Sequence, residues 1–111
     1  MEFRNSLKNF IKEESLRLKK KFGKNKTQSE RILARTAKLG EEYGELCNEV
    51  LAFLKDQRPE KLKGKKENDL TDEIADVIIT TLLLADILNI DMETIESSLK
   101  RKIKKINKRK Y

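Results

Sequence analysis

Apolar residues recur along the chain at the three- and four-residue steps typical of helices. In the first helix that this spacing predicts, over residues 3–22, they are Phe3, Leu7, Phe10, Ile11, Leu18 and Phe22. Gly23 and the polar residues after it predict the end of this helix. Thr27 is followed three residues later by Glu30, the pattern of a capping box, so a second helix is expected to begin there and to run to about residue 55. The apolar positions that predict its buried face are Ile32, Ala37, Tyr43, Leu46, Cys47, Val50 and Leu54.

A third helix, over residues 70–88, is apolar around most of its circumference. No charged residue occurs between Asp76 and Asp86, whereas a surface helix would carry a polar stripe. Asp91 is a suitable N-cap for a fourth helix from residue 92. So short a chain covers only part of helix 3, which predicts a second subunit against it. The sequence therefore predicts an all-α, four-helix bundle-like single domain over residues 1–111, which oligomerises through helix 3 as a homodimer or homotetramer.

The amino-acid composition excludes several kinds of catalytic site. The chain has no histidine and one cysteine, Cys47, which excludes a Ser-His or Cys-His nucleophile and a disulfide within one chain and argues against zinc. No glycine-rich phosphate loop occurs. No apolar run reaches the length of a membrane span, and the N-terminus lacks the apolar core of a signal peptide. We therefore expect a cytoplasmic protein with no membrane partner, whose chemistry would rest on carboxylates, lysines and a hard metal ion.

Two pairs of acidic residues carry the candidate chemistry. Glu42 and Glu45 are three residues apart on the second helix, and Glu73 and Asp76 are three apart on the third. This spacing places both members of a pair on one helix face, where like charges repel. If the two helices face each other, a divalent cation such as Mg²⁺, which takes oxygen ligands, would hold the four carboxylates together. Pairing with the helix dipole is the alternative for Glu73, and lysine pairing is the alternative for Asp76.

The C-terminal tail is the most basic part of the chain. Eight of residues 100–110 are Lys or Arg, and the net charge of the whole chain is +7. Cations suit the C-terminal end of a helix because of its dipole. A basic tail could also bind nucleic acid or an anionic membrane. Its charge alone leaves these alternatives open.

The motifs EEYGEL, DEIADV and LADILNID, over residues 41–46, 72–77 and 84–91, together resemble the MazG-like all-α nucleoside triphosphate pyrophosphohydrolases. The resemblance covers residues 34–111. It implies a helical, oligomeric, Mg²⁺-dependent enzyme, with Mn²⁺ as a substitute, that cleaves nucleoside triphosphates to monophosphate and pyrophosphate, as in nucleotide-pool house-cleaning. It also implies the metal ligands, which are Glu42, Glu45, Glu73 and Asp76.

The resemblance further implies residues for catalysis and for substrate binding. Glu45 and Glu41 are the candidates for the base that takes a proton from water. The tail ends in an asparagine and basic residues like those that contact the nucleotide in the family, and Lys102, Lys104 and Lys105 are alternatives for the lysine that precedes the asparagine. The substrate-binding residues expected are Lys38, Lys102, Lys105, Asn107, Arg109 and Tyr111. The first helix lacks the tryptophan that some nucleobase pockets use, so the resemblance does not specify which nucleobase the substrate carries.

Two other functions remain as alternatives. A phosphoribosyl-ATP pyrophosphohydrolase of histidine synthesis shares the carboxylate architecture of this superfamily. A non-catalytic basic helical protein could instead bind nucleic acid through residues 100–110, with structural acidic residues. The intact set of four carboxylates makes nucleic acid the less favoured partner, and a nucleoside triphosphate the expected one.

Overall fold

The computed structural model describes residues 2–54 and 67–110 of the chain. These described residues form four helices, α1 (Glu2–Phe22), α2 (Gln28–Phe53), α3 (Glu67–Ile87) and α4 (Met92–Asn107). The described residues include no strand. Over the described residues the prediction of four helices and no strands is therefore confirmed. Both ends of α1 and α2 and the start of α4 lie within two residues of their predicted positions, whereas α3 begins three residues earlier than predicted. The prediction for a single domain over residues 1–111 stays a prediction.

Both predicted N-caps are confirmed by their hydrogen bonds. The Thr27 hydroxyl accepts from the Glu30 backbone N–H at 3.1 Å, and the Glu30 carboxylate accepts from the Thr27 N–H at 2.8 Å. The Asp91 carboxylate accepts from the Thr94 N–H at 2.8 Å. These bonds satisfy N–H groups that the first turn of a helix leaves without partners. They set where α2 and α4 begin, and so fix the register of the residues that follow.

Helices α2 and α3 pack against each other in opposite directions. Near one end of the pair, the Gln28 side-chain amide donates to the Ile87 carbonyl at 3.0 Å. Further along, Glu42 of α2 meets Glu73 and Asp76 of α3. Helix α1 also packs on α3. This arrangement confirms that the two acidic pairs lie on facing helices.

Helix α4 is attached to α1 by charged side chains. The Arg4 guanidinium donates to the carboxylates of Glu93 and Glu96, with its Nε atom 2.8 Å from Glu96 Oε1. The Lys8 ammonium also pairs with Glu93. All four of these residues keep part of their side-chain surface in water. The contact therefore fixes the start of α4 without burying much of it.

The core of the described chain is small. Its buried apolar residues are Ile11, Ala52 and Leu83. The predicted buried face of α2 is partly wrong for the single chain, because Ala37, Tyr43, Val50 and Leu54 are exposed. Packing against α3 covers only one side of α2, so apolar residues on its other side remain in water. The radius of gyration, 17.1 Å, exceeds the roughly 13 Å typical of a compact domain of this length.

Helix α3 is only partly covered, as its apolar composition predicts. Leu83 is buried, whereas Ile74 is 44% exposed and Ile78 is 52% exposed. Exposed apolar surface of this kind on α2 and α3 is typical of faces that meet a partner. None of the described helices combines the length and the hydropathy needed to cross a membrane.

Candidate metal centre and adjoining cavity

Three carboxylates converge where α2 crosses the first half of α3. Each of Glu42, Glu73 and Asp76 offers an oxygen, and these oxygens lie within 4.8 Å of one another. Glu73 and Asp76 are one helical turn apart, so both point toward the same part of α2. The three residues are called the carboxylate cluster below. Three carboxylate oxygens at this separation suit a hard divalent cation such as Mg²⁺ or Mn²⁺.

The cluster is charged, partly buried and short of hydrogen bonds. Glu42 is only 8% exposed, and the Oε2 atoms of Glu42 and Glu73 are both buried without a hydrogen-bond partner. Burial raises the pKa of Glu73, and the charges of Glu45, Asp76 and Glu42 raise it further. Buried carboxylate oxygens normally have partners. The donor set and its two unpartnered oxygens therefore fit a metal ion.

Lys38 is the cation next to the cluster. Its Nζ atom lies 3.5 Å from Glu42 Oε1 and 3.7 Å from Glu41 Oε1. The neighbouring carboxylates, Glu41 first, raise the pKa of Lys38. One lysine cannot neutralise three or more carboxylates, and it leaves Glu42 Oε2 unpaired. The structure thus places the predicted substrate-binding Lys38 beside the predicted metal ligands, with negative charge still in excess.

The other predicted glutamates lie around the cluster rather than in it. Glu45 is exposed and is not one of the three that share the 4.8 Å group. It is nevertheless close to Glu73, because its charge makes the largest electrostatic contribution to the raised pKa of Glu73. Glu41 is also exposed and pairs with Lys38. The arrangement leaves both as candidates for the proton acceptor, at the edge of the cluster.

The predicted substrate-binding residues of the tail are not brought to the cluster. Lys102, Lys105, Asn107 and Arg109 are all exposed, the first three in the last two turns of α4 and Arg109 just beyond it. The ion pairs at the cluster within the described residues are those of Lys38, and none comes from the tail. Tyr111 lies outside the described residues. Within one chain, then, the structure joins α2 and α3 at this site but not the tail.

A cavity of about 430 Å³ lies between α1, α2 and α3 beside Lys38. Its lining residues are Glu14, Leu18, Phe22, Ala34, Arg35, Lys38, Thr80 and Leu83. The Arg35 Nε atom is buried without a hydrogen-bond partner, and burial lowers the pKa of Arg35. Sequence reasoning missed Arg35. The available signal was its position three residues before Lys38 and seven before Glu42, which places all three on one face of α2.

The fold and the cluster define an all-helical protein with a carboxylate centre suited to a divalent metal ion. A family model described as the MazG-like family matches residues 44–111. This match covers more than half of the chain, and the chain belongs to the MazG-like family. Glu45, Glu73 and Asp76 lie within the matched residues, and Glu42 lies two residues before them. No curated protein and no solved structure gave a significant match.

Proposed function

We propose that this protein is a Mg²⁺-dependent nucleoside triphosphate pyrophosphohydrolase, which converts a nucleoside triphosphate to the monophosphate and pyrophosphate. Membership of the MazG-like family supports the type of reaction. The observation that carries the proposal is the carboxylate cluster, in which Glu42 and Glu73 each keep a buried oxygen without a partner. Such a site favours binding a divalent ion, which in turn favours binding a phosphate chain.

Glu42, Glu73 and Asp76 would hold the metal, and we assign Glu45, whose charge acts on Glu73, as a further ligand. When bound, a divalent ion at this site would acidify a coordinated water and stabilise negative charge on phosphate oxygens. In the reaction the water oxygen bonds to the α-phosphorus, and the bond from that phosphorus to the oxygen bridging the α and β phosphates breaks. Glu45 or Glu41 takes the proton that the water releases. The pyrophosphate leaves with the electron pair of the broken bond.

Positive side chains would hold the phosphates and offset their charge. Lys38 is already beside Glu42, at 3.5 Å. We assign the same role to Lys102, Lys105 and Arg109 of the tail, with Asn107 and Tyr111 as neutral contacts to the nucleotide. The described ones, Lys102, Lys105, Asn107 and Arg109, are exposed and make no ion pair with the cluster of their own chain.

A second copy of the chain would supply the missing contacts. The apolar residues Ile74 and Ile78 of α3 are exposed, as are Ile103 and Ile106 of α4. We propose that the active form is a homodimer, or a pair of dimers, which buries the exposed face of α3 and brings the tail of one chain to the cluster of the other. Burial of this surface stabilises the assembly by roughly 25 cal/mol per Å² of apolar area.

The test is a panel of canonical and modified nucleoside triphosphates, plus phosphoribosyl-ATP, incubated with Mg²⁺ and assayed for pyrophosphate and monophosphate. We expect pyrophosphate release that stops with a chelator and is lost in Asp76→Asn. The matched control is Glu13→Gln on α1, an exposed carboxylate remote from the cluster that should retain activity.

Other results would favour another function. Turnover of phosphoribosyl-ATP alone would support the histidine-synthesis activity. No turnover, together with salt-sensitive binding of nucleic acid, would support the non-catalytic alternative. Stepwise release of single phosphates would contradict the proposed cleavage between the α and β phosphates.

A further inference from the structure

We propose that the cavity between α1, α2 and α3 receives the nucleobase and that Arg35 selects a 6-oxopurine, the class of base that includes guanine. This inference rests on the proposed function, since it places the base relative to phosphates held at the carboxylate cluster. It adds a specificity-determining residue that lies outside the cluster and the tail. Arg35 also lies before the residues that the family model matches, 44–111.

The cavity adjoins the cluster along both helices. On α2, Lys38 lines the cavity and lies one turn before Glu42. On α3, Thr80 lines it one turn after Asp76, and the Thr80 hydroxyl donates to the Asp76 carbonyl at 2.8 Å. One turn of helix is about 5.4 Å. A triphosphate bound at the cluster would therefore leave its nucleoside end at the mouth of this cavity.

The walls of the cavity suit a flat, mostly apolar group. Leu18, Phe22, Ala34 and Leu83 supply apolar surface from three helices. The volume of about 430 Å³ lies within the range of small-molecule sites. Such sites pair apolar walls with a few polar groups that fix orientation. Arg35 and Glu14 are the charged groups on the wall away from the cluster.

Arg35 lines the cavity and carries one donor without a partner among the described residues. That donor is its buried Nε–H, and the guanidinium presents neighbouring N–H groups in a planar fork. The O6 and N7 atoms of guanine match this fork with two adjacent acceptors. Adenine instead places an amino group, a donor, beside N7. Uracil has no two adjacent acceptors, and cytosine has such a pair, N3 and O2, only on its Watson–Crick edge, so the CTP analogue is the critical comparison in the experiment below.

Glu14 complements Arg35 across the cavity. Its Oε1 atom accepts from Arg17 Nε at 2.7 Å, which orients the carboxylate, and a carboxylate has further lone pairs. These can accept from the N1–H and the 2-amino group of guanine. The charge of Glu14 also favours the charged form of Arg35. The Arg35 guanidinium thus matches the acceptors O6 and N7 of guanine. The Glu14 carboxylate matches its donors, N1–H and the 2-amino group.

The experiment measures binding of non-hydrolysable α,β-methylene analogues of GTP, ATP, CTP, UTP and 7-deaza-GTP to the full chain with Mg²⁺, by calorimetry. The variants are Arg35→Met and a control, Arg101→Met, which removes an exposed arginine of α4. We expect the wild type to prefer the GTP analogue by at least about tenfold and to lose that preference with the 7-deaza base, which lacks N7. Arg35→Met should bind all the analogues alike, and Arg101→Met should keep the preference.

Thermal melting separates specificity from structure. Removing a buried donor that has no partner should leave the melting temperature of Arg35→Met unchanged or higher. A lower melting temperature with the guanine preference intact would assign Arg35 a structural role and overturn the proposal. An equal loss of affinity for every analogue would show that Arg35 contacts the phosphates and not the base. That result would also overturn the proposal.

Hydrolysis assays in parallel keep the two proposals apart. If nucleoside triphosphates are hydrolysed without any guanine preference, the proposal for Arg35 fails while the proposed function stands. If the chain binds the GTP analogue selectively through Arg35 but hydrolyses none of the triphosphates, the proposed function fails while the assignment of the base site stands. No selective binding and no hydrolysis would overturn both.

Discussion

Glu42 and Glu73 face each other from α2 and α3, and each keeps a buried Oε2 atom without a hydrogen-bond partner. A fold gains no stability from such an arrangement, because buried polar atoms without partners and like charges close together both oppose folding. Lys38 offsets only part of the charge, through the Oε1 atom of Glu42. Helix packing alone does not explain the pair, which supports the proposal that a metal ion binds these oxygens.

The first prediction concerns the stability of the metal-free protein. Glu73→Gln removes a charge that Glu45, Asp76 and Glu42 repel, so we expect its melting temperature near neutral pH, in chelator, to exceed that of the wild type. The folded-state pKa of Glu73 is raised above 4.5. At pH values between 4.5 and the raised pKa, the folded chain binds more protons than the unfolded chain. The stabilisation that comes from protonated Glu73 is therefore fully present below about pH 4.5 and is lost as the pH rises through its folded-state pKa.

Melting curves from acidic to neutral pH test the direction of this pH dependence of stability. The difference between Glu73→Gln and the wild type should grow as pH rises through that window and then level off. Glu13→Gln, the exposed control on α1, should show no such growth. A Glu73→Gln variant that melts below the wild type at neutral pH would instead identify Glu73 as part of a structural ion pair.

The second prediction concerns the proton acceptor. Glu41 pairs with Lys38 at 3.7 Å, whereas the charge of Glu45 raises the pKa of Glu73 in the cluster. We therefore expect Glu45→Gln to lower kcat by about 10²–10⁴-fold, the range for a general base, and Glu41→Gln to lower it less. Steady-state kinetics of both variants with Mg²⁺ would check this. A larger loss of kcat in Glu41→Gln would exchange the roles of the two residues.

The third prediction concerns assembly. Ile78 is 52% exposed in the single chain, so a lysine there should leave the fold of the chain intact while placing a charge in the proposed interface. Light scattering should give a dimer or tetramer mass for the wild type and a monomer for Ile78→Lys. The control is Asn9→Lys, an exposed position on α1, which should keep the wild-type mass.

Activity of the same variants tests whether two chains share a site. If the tail of one chain serves the cluster of the other, monomeric Ile78→Lys should lose turnover while retaining its helical content. A fully active monomer would leave the dimer in place but contradict the shared site. A monomeric wild-type protein at micromolar concentration would contradict both.

Local signals in the sequence predicted the local structure well. Thr27 and Asp91 mark where helices begin because capping depends on residues only three positions apart. The spacing of Glu73 and Asp76 likewise fixed their common face. The same reasoning anticipated that α3 would keep apolar surface exposed, because its composition leaves no polar stripe to face water.

Features that depend on how the helices pack together could not be predicted from the sequence. Tyr43 follows the apolar spacing of α2 yet is 61% exposed, because no described helix packs against that side. Glu45 belongs to the same motif as Glu42 but lies outside the 4.8 Å group. Arg35 could be identified as a candidate binding residue only from the structure, in which residues of α1 and α3 line a cavity together with it. These outcomes depend on which helix faces meet, and residue spacing along one helix does not specify that.

The most direct test of the central claim is a titration of the chain with Mn²⁺, in which the electron paramagnetic resonance signal reports the unbound ion. The wild type should remove Mn²⁺ from solution, and Mg²⁺ should compete for the site. Asp76→Asn and Glu73→Gln should each weaken binding by at least about tenfold, since each removes a carboxylate ligand, whereas Glu13→Gln should bind as the wild type does. Undiminished Mn²⁺ binding in both cluster variants would contradict a metal centre at Glu42, Glu73 and Asp76.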